Sequence, residues 1–334
     1  MTTVLESLNA GLHEAFAADE RVLLLGEDVL DPYGGAFKVS RGLSTGFPGR
    51  VLTTPISEAG ITGAGIGLAL GGYRPVVEIM FGDFVTLALD QLLNAAGKFG
   101  WMYDPAVAVP LVLRTPMGGR RGYGPTHSQT LEKHLLGAPG LTVLAPFHLA
   151  ADEPGRLLRD TILRTGSPVV FIENKLQYLL PLLDSAALAE FEVELVGNPQ
   201  APAYRLGLRD APPPGLTMAA YGYMAELCRQ AIPPLAYEQE IFVELIVTTQ
   251  LAPFELFPVL DSARRTRHLL TVEEGGRSLG WGAEVLAQAA ETIPGLKVNR
   301  VAALDLPVPA SLALEAAVLP DVNAILRAAV EMLH

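Results

Sequence analysis

Among 334 residues there is a single cysteine, Cys228. One cysteine excludes an internal disulfide framework and any zinc site built on thiolates. The chain also lacks an apolar run of membrane-spanning length. Residues 60–72 come nearest, and they are short and rich in glycine. Positive charge is sparse, with 24 Lys and Arg against 36 Asp and Glu and a net charge of −12. Without a dense basic stripe, nucleic acid is not an expected partner, and neither is a membrane. The opening stretch "MTTVLESLNAGLHEAF" has no basic segment and no apolar signal core. It reads as an amphipathic helix, and a cytoplasmic location is expected. No short repeat or low-complexity tract is present.

What is present is largely apolar. Half of the residues are hydrophobic, 18% are charged, and the mean hydropathy is +0.32. A large core or sizeable buried interfaces would account for this. Strand-length apolar runs fall at 21–28, 73–80, 109–115, 141–146 and 167–174, with helical patterns near 58–72, 85–101 and 149–164. Continuous rather than alternating hydrophobicity predicts parallel strands covered on both faces. From about 181 the periodicity fades, and residues 181–215 end in "RDAPPPGLT". Consecutive prolines favour an extended connector. A second alternation follows, with strands expected at 216–222, 241–247, 267–275 and 297–302 and helices at 223–232, 278–291 and 320–333. The expected fold class is α/β, with two doubly wound open-sheet domains over 1–180 and 216–334 and a proline-rich linker over 181–215.

Ligands of open α/β sheets gather at the carboxyl ends of strands. Three stretches fall there. "TTPISEAGITGAGIGLALGG" places one carboxylate, Glu58, at the mouth of a small, apolar run. Its bland reading is a helix-terminus charge; its sharper reading is a proton-handling group in a dry pocket. "IMFGDFVTLALDQ" contains Met80 and Phe84, which alone read as core packing. "RTPMGGRRGYGPTHSQ" is a glycine-rich loop with Arg114, Arg120, Arg121 and His127. Glycines let backbone approach a ligand closely, and His127 can exchange a proton near neutral pH. On composition alone a solvated surface loop is the better reading of that stretch.

The pieces "LLLGEDV", "GGAFKVSRGL", "TPISEAGITGAGIGLALGGYRPVVEIMFGDF", "LDQLLNAAGKF", "THSQTLE" and "PGLTVLAP" occur in that order within residues 1–180. In them the chain resembles the β subunit of the thiamine-diphosphate-dependent first component of 2-oxo acid dehydrogenase complexes. That transketolase-like family includes pyruvate, branched-chain 2-oxo acid and acetoin dehydrogenases. A weaker likeness continues through "AAYG", "LLTVEEGG" and "LPVPASLALEAAVLP". The resemblance implies a pyrimidine-binding domain followed by a transketolase C-terminal-like domain. It implies that Glu58 hydrogen-bonds the aminopyrimidine of thiamine diphosphate, so that the cofactor can activate its thiazolium carbon toward a 2-oxo acid. Phe84 stands where an aromatic stacks on the pyrimidine and Met80 where a side chain lines it. His127 stands where a histidine meets the substrate and the incoming lipoyl group.

A "GDG" followed by an asparagine-rich turn, the usual holder of metal and diphosphate in thiamine enzymes, is missing; "FGDF" at 81–84 is not one. The chain offers no visible set of oxygen ligands for a metal. The resemblance implies that a separate α subunit carries Mg2+ and the diphosphate, in a heterotetramer of two α and two β that serves a lipoyl acyltransferase core. The sequence departs from the family at Thr53, where an Asp is common, in "ELIVTTQLAPFE", which lacks an Asp and an Arg, and in "RTGSP", which lacks an acid. Pro154 is expected to interrupt the helix at 149–164. Two other readings stand beside oxidative decarboxylation: a carboligase or transketolase-like half-enzyme using the same cofactor, and a catalytically silent structural subunit.

Overall fold

Residues 2–104, 106–198 and 201–333 are described by the computed structural model. The outermost residues of the expected domains, 1 and 334, and residues 199–200 of the expected linker lie outside the described residues. The chain divides into two units, one of Met1–Met117 and His134–Leu182, the other of Gly118–Lys133 and Leu183–His334.

In the first unit, apolar runs form β1 (Val22–Gly26), β2 (Val51–Thr53), β3 (Arg74–Glu78), β4 (Val112–Met117), β5 (Thr142–Leu144) and β6 (Val169–Asn174). They lie in the order β5–β6–β4–β3–β1–β2, and all neighbours are parallel. Every residue of β1 and β4 is buried, as helices on a parallel sheet require. The helices are α1 (Val4–Ala18), the single turns α2 (Leu43–Gly46) and α4 (Phe99–Met102), α3 (Glu58–Leu70) and α5 (Pro154–Arg164). Thr3 and Glu6 close a capping box at the start of α1, which buries Val4, Leu8, Leu12, Ala15 and Phe16. α1 crosses α5 where two glycines meet: a Cβ on Gly11 would lie 2.1 Å from the Gly155 carbonyl oxygen.

In the second unit, β7 (Phe191–Asn198), β8 (Ala201–Leu208), β9 (Leu216–Ala220), β10 (Val243–Thr248), β12 (His268–Gly276) and β13 (Lys297–Ala303) form a sheet in the order β13–β12–β9–β10–β8–β7. β11 (Gln250–Ala252) is a three-residue strand. The core strands β10, β9, β12 and β13 are parallel, while β7 and β8 are an antiparallel hairpin at one edge. The helices are α6 (Gly222–Gln239), α7 (Phe257–Thr266), α8 (Trp281–Thr292), α9 (Leu312–Val318) and α10 (Val322–Leu333). Two open α/β sheets are thus the fold.

Four local expectations need correction. Residues 181–215 hold the antiparallel pair β7 and β8, with no regular secondary structure at 211–214. The hairpin hides from periodicity because most of β7 is exposed on both faces, so no alternation marks it. The helix expected at 85–101 breaks into a 3₁₀ stretch (Gly82–Ala88), a π stretch (Gln91–Ala96) and α4. Pro154 begins α5 instead of interrupting it: the first helical position has no N–H to satisfy, and a fixed φ suits it. α6 runs on through Pro233 and Pro234 because Ala231, Ile232, Leu235 and Ala236 are buried on one face, and packing outweighs the two missing N–H groups.

Candidate active site

β2 ends at Thr53, and four residues later Ser57 caps α3 by accepting the Gly60 N–H at 3.2 Å. Glu58 is therefore the first residue of α3, at the end of the helix dipole that suits a negative charge. Its carboxylate is buried, 6% exposed. A second acid, Glu27, follows the carboxyl end of β1 and is also buried. Burial, and then the charge of Glu58, raise the Glu27 pKa, while a hydrogen bond from the Ser57 backbone opposes the rise. Glu27 Oε1 is buried without a hydrogen-bond partner. Sequence reasoning passed over Glu27, although its place one residue beyond a buried strand was the available signal.

The Gly82–Ala88 stretch packs against α3 and carries Phe84 at the half-buried face, with Met80 half-buried just before it. The Phe84 ring stands edge-on to Phe81 at 6.1 Å, and Phe81 meets Phe37 at 5.5 Å. Lys175 Nζ lies 5.2 Å from the centre of the Phe81 ring. Gly82 is required at its position: a Cβ there would lie 2.2 Å from Met117 Cγ. Beneath these rings a buried ion network joins three neighbouring strands. Arg114 of β4 donates to Glu78 of β3 and, at 2.8 and 2.5 Å, to both oxygens of Glu173 in β6. The Tyr178 hydroxyl donates to Glu173 at 2.5 Å. Arg114 is thus a wholly buried strand residue, not a loop arginine. A half-broken buried pair would strand a charge, so the network fixes the strand ends it joins.

His127 lies in the segment Gly118–Lys133, which belongs to the second unit, whereas Glu58, Met80 and Phe84 belong to the first. The imidazole is half-buried, with Nδ1 2.9 Å from Thr126 Oγ1. Three loop amides are bound by buried acids of the second unit: Gly119 N–H by Glu274 at 2.7 Å, and Arg120 and Gly122 N–H by Glu315 at 2.6 and 3.1 Å. The Arg120 guanidinium donates to the Pro320 carbonyl. At the far end of the loop, Glu132 accepts the Tyr221 hydroxyl at 2.7 Å. Glu273 accepts the Gly282 N–H at 2.9 Å, and burial together with the Glu132 charge pushes its pKa up to about 8. Burial also raises the Glu132 pKa. None of these acids was marked as functional by the sequence, and Glu132, Glu274 and Glu315 bond groups 89 to 195 residues away in the chain.

The first unit fits the pyrimidine end of thiamine diphosphate. It offers a buried acceptor in Glu58, an unpartnered buried oxygen on Glu27 and a half-buried aromatic and thioether in Phe84 and Met80. The metal–diphosphate end finds no such match: among the described residues no group of three or more His, Cys, Asp or Glu is placed to hold a metal ion. No described helix is long and apolar enough to cross a membrane.

Residues 2–179 match the family described as transketolase, pyrimidine binding domain, and residues 206–325 match transketolase, C-terminal domain. The chain is 37% identical to the mitochondrial pyruvate dehydrogenase E1 component subunit beta of Drosophila melanogaster, covering 99% of this chain and 89% of that one. It is 38% identical to the mitochondrial subunit beta-2 of Oryza sativa, covering 98% and 85%, and 34% identical to the Bos taurus subunit, covering 97% and 88%. A solved structure described as a split-gene transketolase, an inactive beta4 tetramer, superposes with a TM-score of 0.75 at 18% identity, covering 100% of this chain and 99% of that one. That likeness shows the fold. The cytoplasmic expectation does not stand, since these relatives are mitochondrial. A single reduced cysteine suits any reducing compartment, so composition could not separate them. By both domain matches and by identity along nearly its whole length, the chain belongs to the family of β subunits of the first, E1 component of 2-oxo acid dehydrogenases.

Proposed function

We propose that this chain is the β half of a heterotetrameric pyruvate-decarboxylating E1, completed by an α subunit that brings the ligands of Mg2+ and the diphosphate. Pyruvate is the 2-oxo acid named for the relatives. When bound, thiamine diphosphate supplies an acidic thiazolium carbon and an electron sink. Glu58 would accept a hydrogen bond from the pyrimidine ring and hold a proton there, in surroundings dry enough to strengthen that bond. Phe84 would stack on the ring, and Met80 would line it with soft apolar surface. His127 handles a proton as the acyl group passes to a lipoyl group on the acyltransferase core.

The observation that supports this reading best is Glu58 itself: a buried carboxylate at a helix start, beside a second buried acid with an unpartnered oxygen. Such a group is costly to bury without a partner. Glu58→Gln keeps the size but cannot act as a proton acceptor. In the assembled α–β complex it is expected to lower decarboxylation by roughly 10² to 10⁴, the range of positioned proton transfer, with the thermal midpoint unchanged. Decarboxylation at the wild-type rate would rule the assignment out.

A further inference from the structure

The loop before His127 contains glycines at 118, 119, 122 and 124, three of which, Gly118, Gly122 and Gly124, have φ of 97°, 68° and 78°. Arg120 shares the left-handed region at φ 66°. A stretch of this composition has great conformational freedom and would hold a histidine poorly by itself. Glu315, on α9 and 1% exposed, removes that freedom. One carboxylate oxygen accepts the Arg120 N–H at 2.6 Å and the other accepts the Gly122 N–H at 3.1 Å. The loop lies directly on this part of the chain. A Cβ on Gly119 would meet Leu319 Cδ1 at 2.5 Å and Glu315 Oε1 at 3.0 Å, and one on Gly122 would meet the Ala310 carbonyl oxygen at 3.1 Å. A carboxylate suits the task because both of its oxygens accept; an amide would turn an N–H2 toward one of the two N–H groups.

We propose that Glu315 is a positioning residue for acyl transfer: by clamping the Arg120 and Gly122 amides it sets the backbone that presents His127. The proposal rests on the role given to His127 above. Its consequence is selective. A small displacement of His127 costs the step in which that side chain takes part and spares steps that it does not touch.

The test uses Glu315→Gln in the α–β complex. Transfer to a lipoyl acceptor is expected to fall about 10- to 100-fold, the scale of an ångström-sized misplacement. Decarboxylation read with an artificial electron acceptor changes much less, and KM for the 2-oxo acid holds. Amide hydrogen exchange across residues 118–128 speeds up while the rest of the chain keeps its protection. In a His127→Ala background the same substitution adds no further loss of transfer, because it acts through the imidazole. Unchanged exchange in 118–128 overturns the clamp. An equal loss of transfer with and without His127, or a parallel fall in all partial reactions and in thermal midpoint, makes Glu315 a structural residue only. Wild-type transfer by His127→Ala alone would instead overturn the role of His127, while the exchange data still decide whether Glu315 holds the loop.

Discussion

Glu273 shows how far a single residue can be moved from its solution behaviour. Its pKa near 8 lies well above the usual 4.5, because the side chain is buried and Glu132 is close, with the Gly282 and Trp281 amides and the Arg300 charge opposing the rise. Gly280 and Gly282 leave no room for other side chains: a Cβ on either would come within 2.8 Å of this carboxylate. The folded chain thus keeps a proton that the unfolded chain releases. The stabilisation from that proton is fully present below the unfolded pKa and is lost as pH rises through about 8. Glu273→Gln, permanently neutral, removes this dependence. The stability difference between wild type and variant is expected to decline by several kcal/mol between about pH 5 and pH 9, measured by denaturant unfolding at a series of pH values. A difference that is flat across that range would show that Glu273 is not protonated in the fold. Legibility at this scale was uneven. Glu58 stood out as the one acid at the mouth of an apolar run, whereas the glycine-rich stretch of His127 reads on composition as a solvated loop, and His127 gained a role only through the matched segment. Met80 and Phe84 look like core residues in any composition-based view and drew notice only through the matched segment around them. Glu132, Glu273 and Glu315 gave no local signal, since what makes each unusual is desolvation by distant chain.

Elements were read with more success, because burial on both faces of a parallel sheet leaves a continuous apolar run. β1, β3, β4, β6, β9, β10, β12 and β13 all fall within a residue or two of such runs, though β4 starts three residues late. The failures share a cause: local pattern says little where packing elsewhere decides. The β7–β8 hairpin has little burial on its outer strand, the 85–101 region is helical in three different ways, and α6 continues through two prolines. The α1–α5 crossing is the most constrained of these contacts. A Cβ on Gly155 would lie 1.8 Å from the Ser7 carbonyl oxygen, and the Gly155 N–H donates to Ser7 Oγ at 3.0 Å. Because that neighbour is backbone, it cannot swing aside. Gly155→Ala is expected to destabilise the first unit by about 1–3 kcal/mol or more, as overpacking does, seen as a lower thermal midpoint. An unchanged midpoint would mean that the two helices separate freely.

At the scale of the whole molecule, the sequence conveyed two α/β domains. Residues 118–133 group with the second unit, and their Gly119, Arg120 and Gly122 amides are bound by the Glu274 and Glu315 carboxylates, pairings that linear order does not show. Ile56 and Trp101 in the first unit are 83% and 89% exposed, and Leu279 in the second is 85% exposed. Large apolar side chains so placed are expected to be covered in a permanent assembly. The proposed division of labour, pyrimidine contacts here and metal–diphosphate contacts on an α subunit, is tested most directly by calorimetric titration of thiamine diphosphate with Mg2+ into this chain alone and into its complex with the α subunit. Two sets of contacts on one ligand act at high effective concentration, so binding to the complex is expected to be tighter by about 10²-fold or more, with weak binding to the lone chain. Tight, stoichiometric binding by the lone chain, accompanied by decarboxylation of a 2-oxo acid, would contradict it.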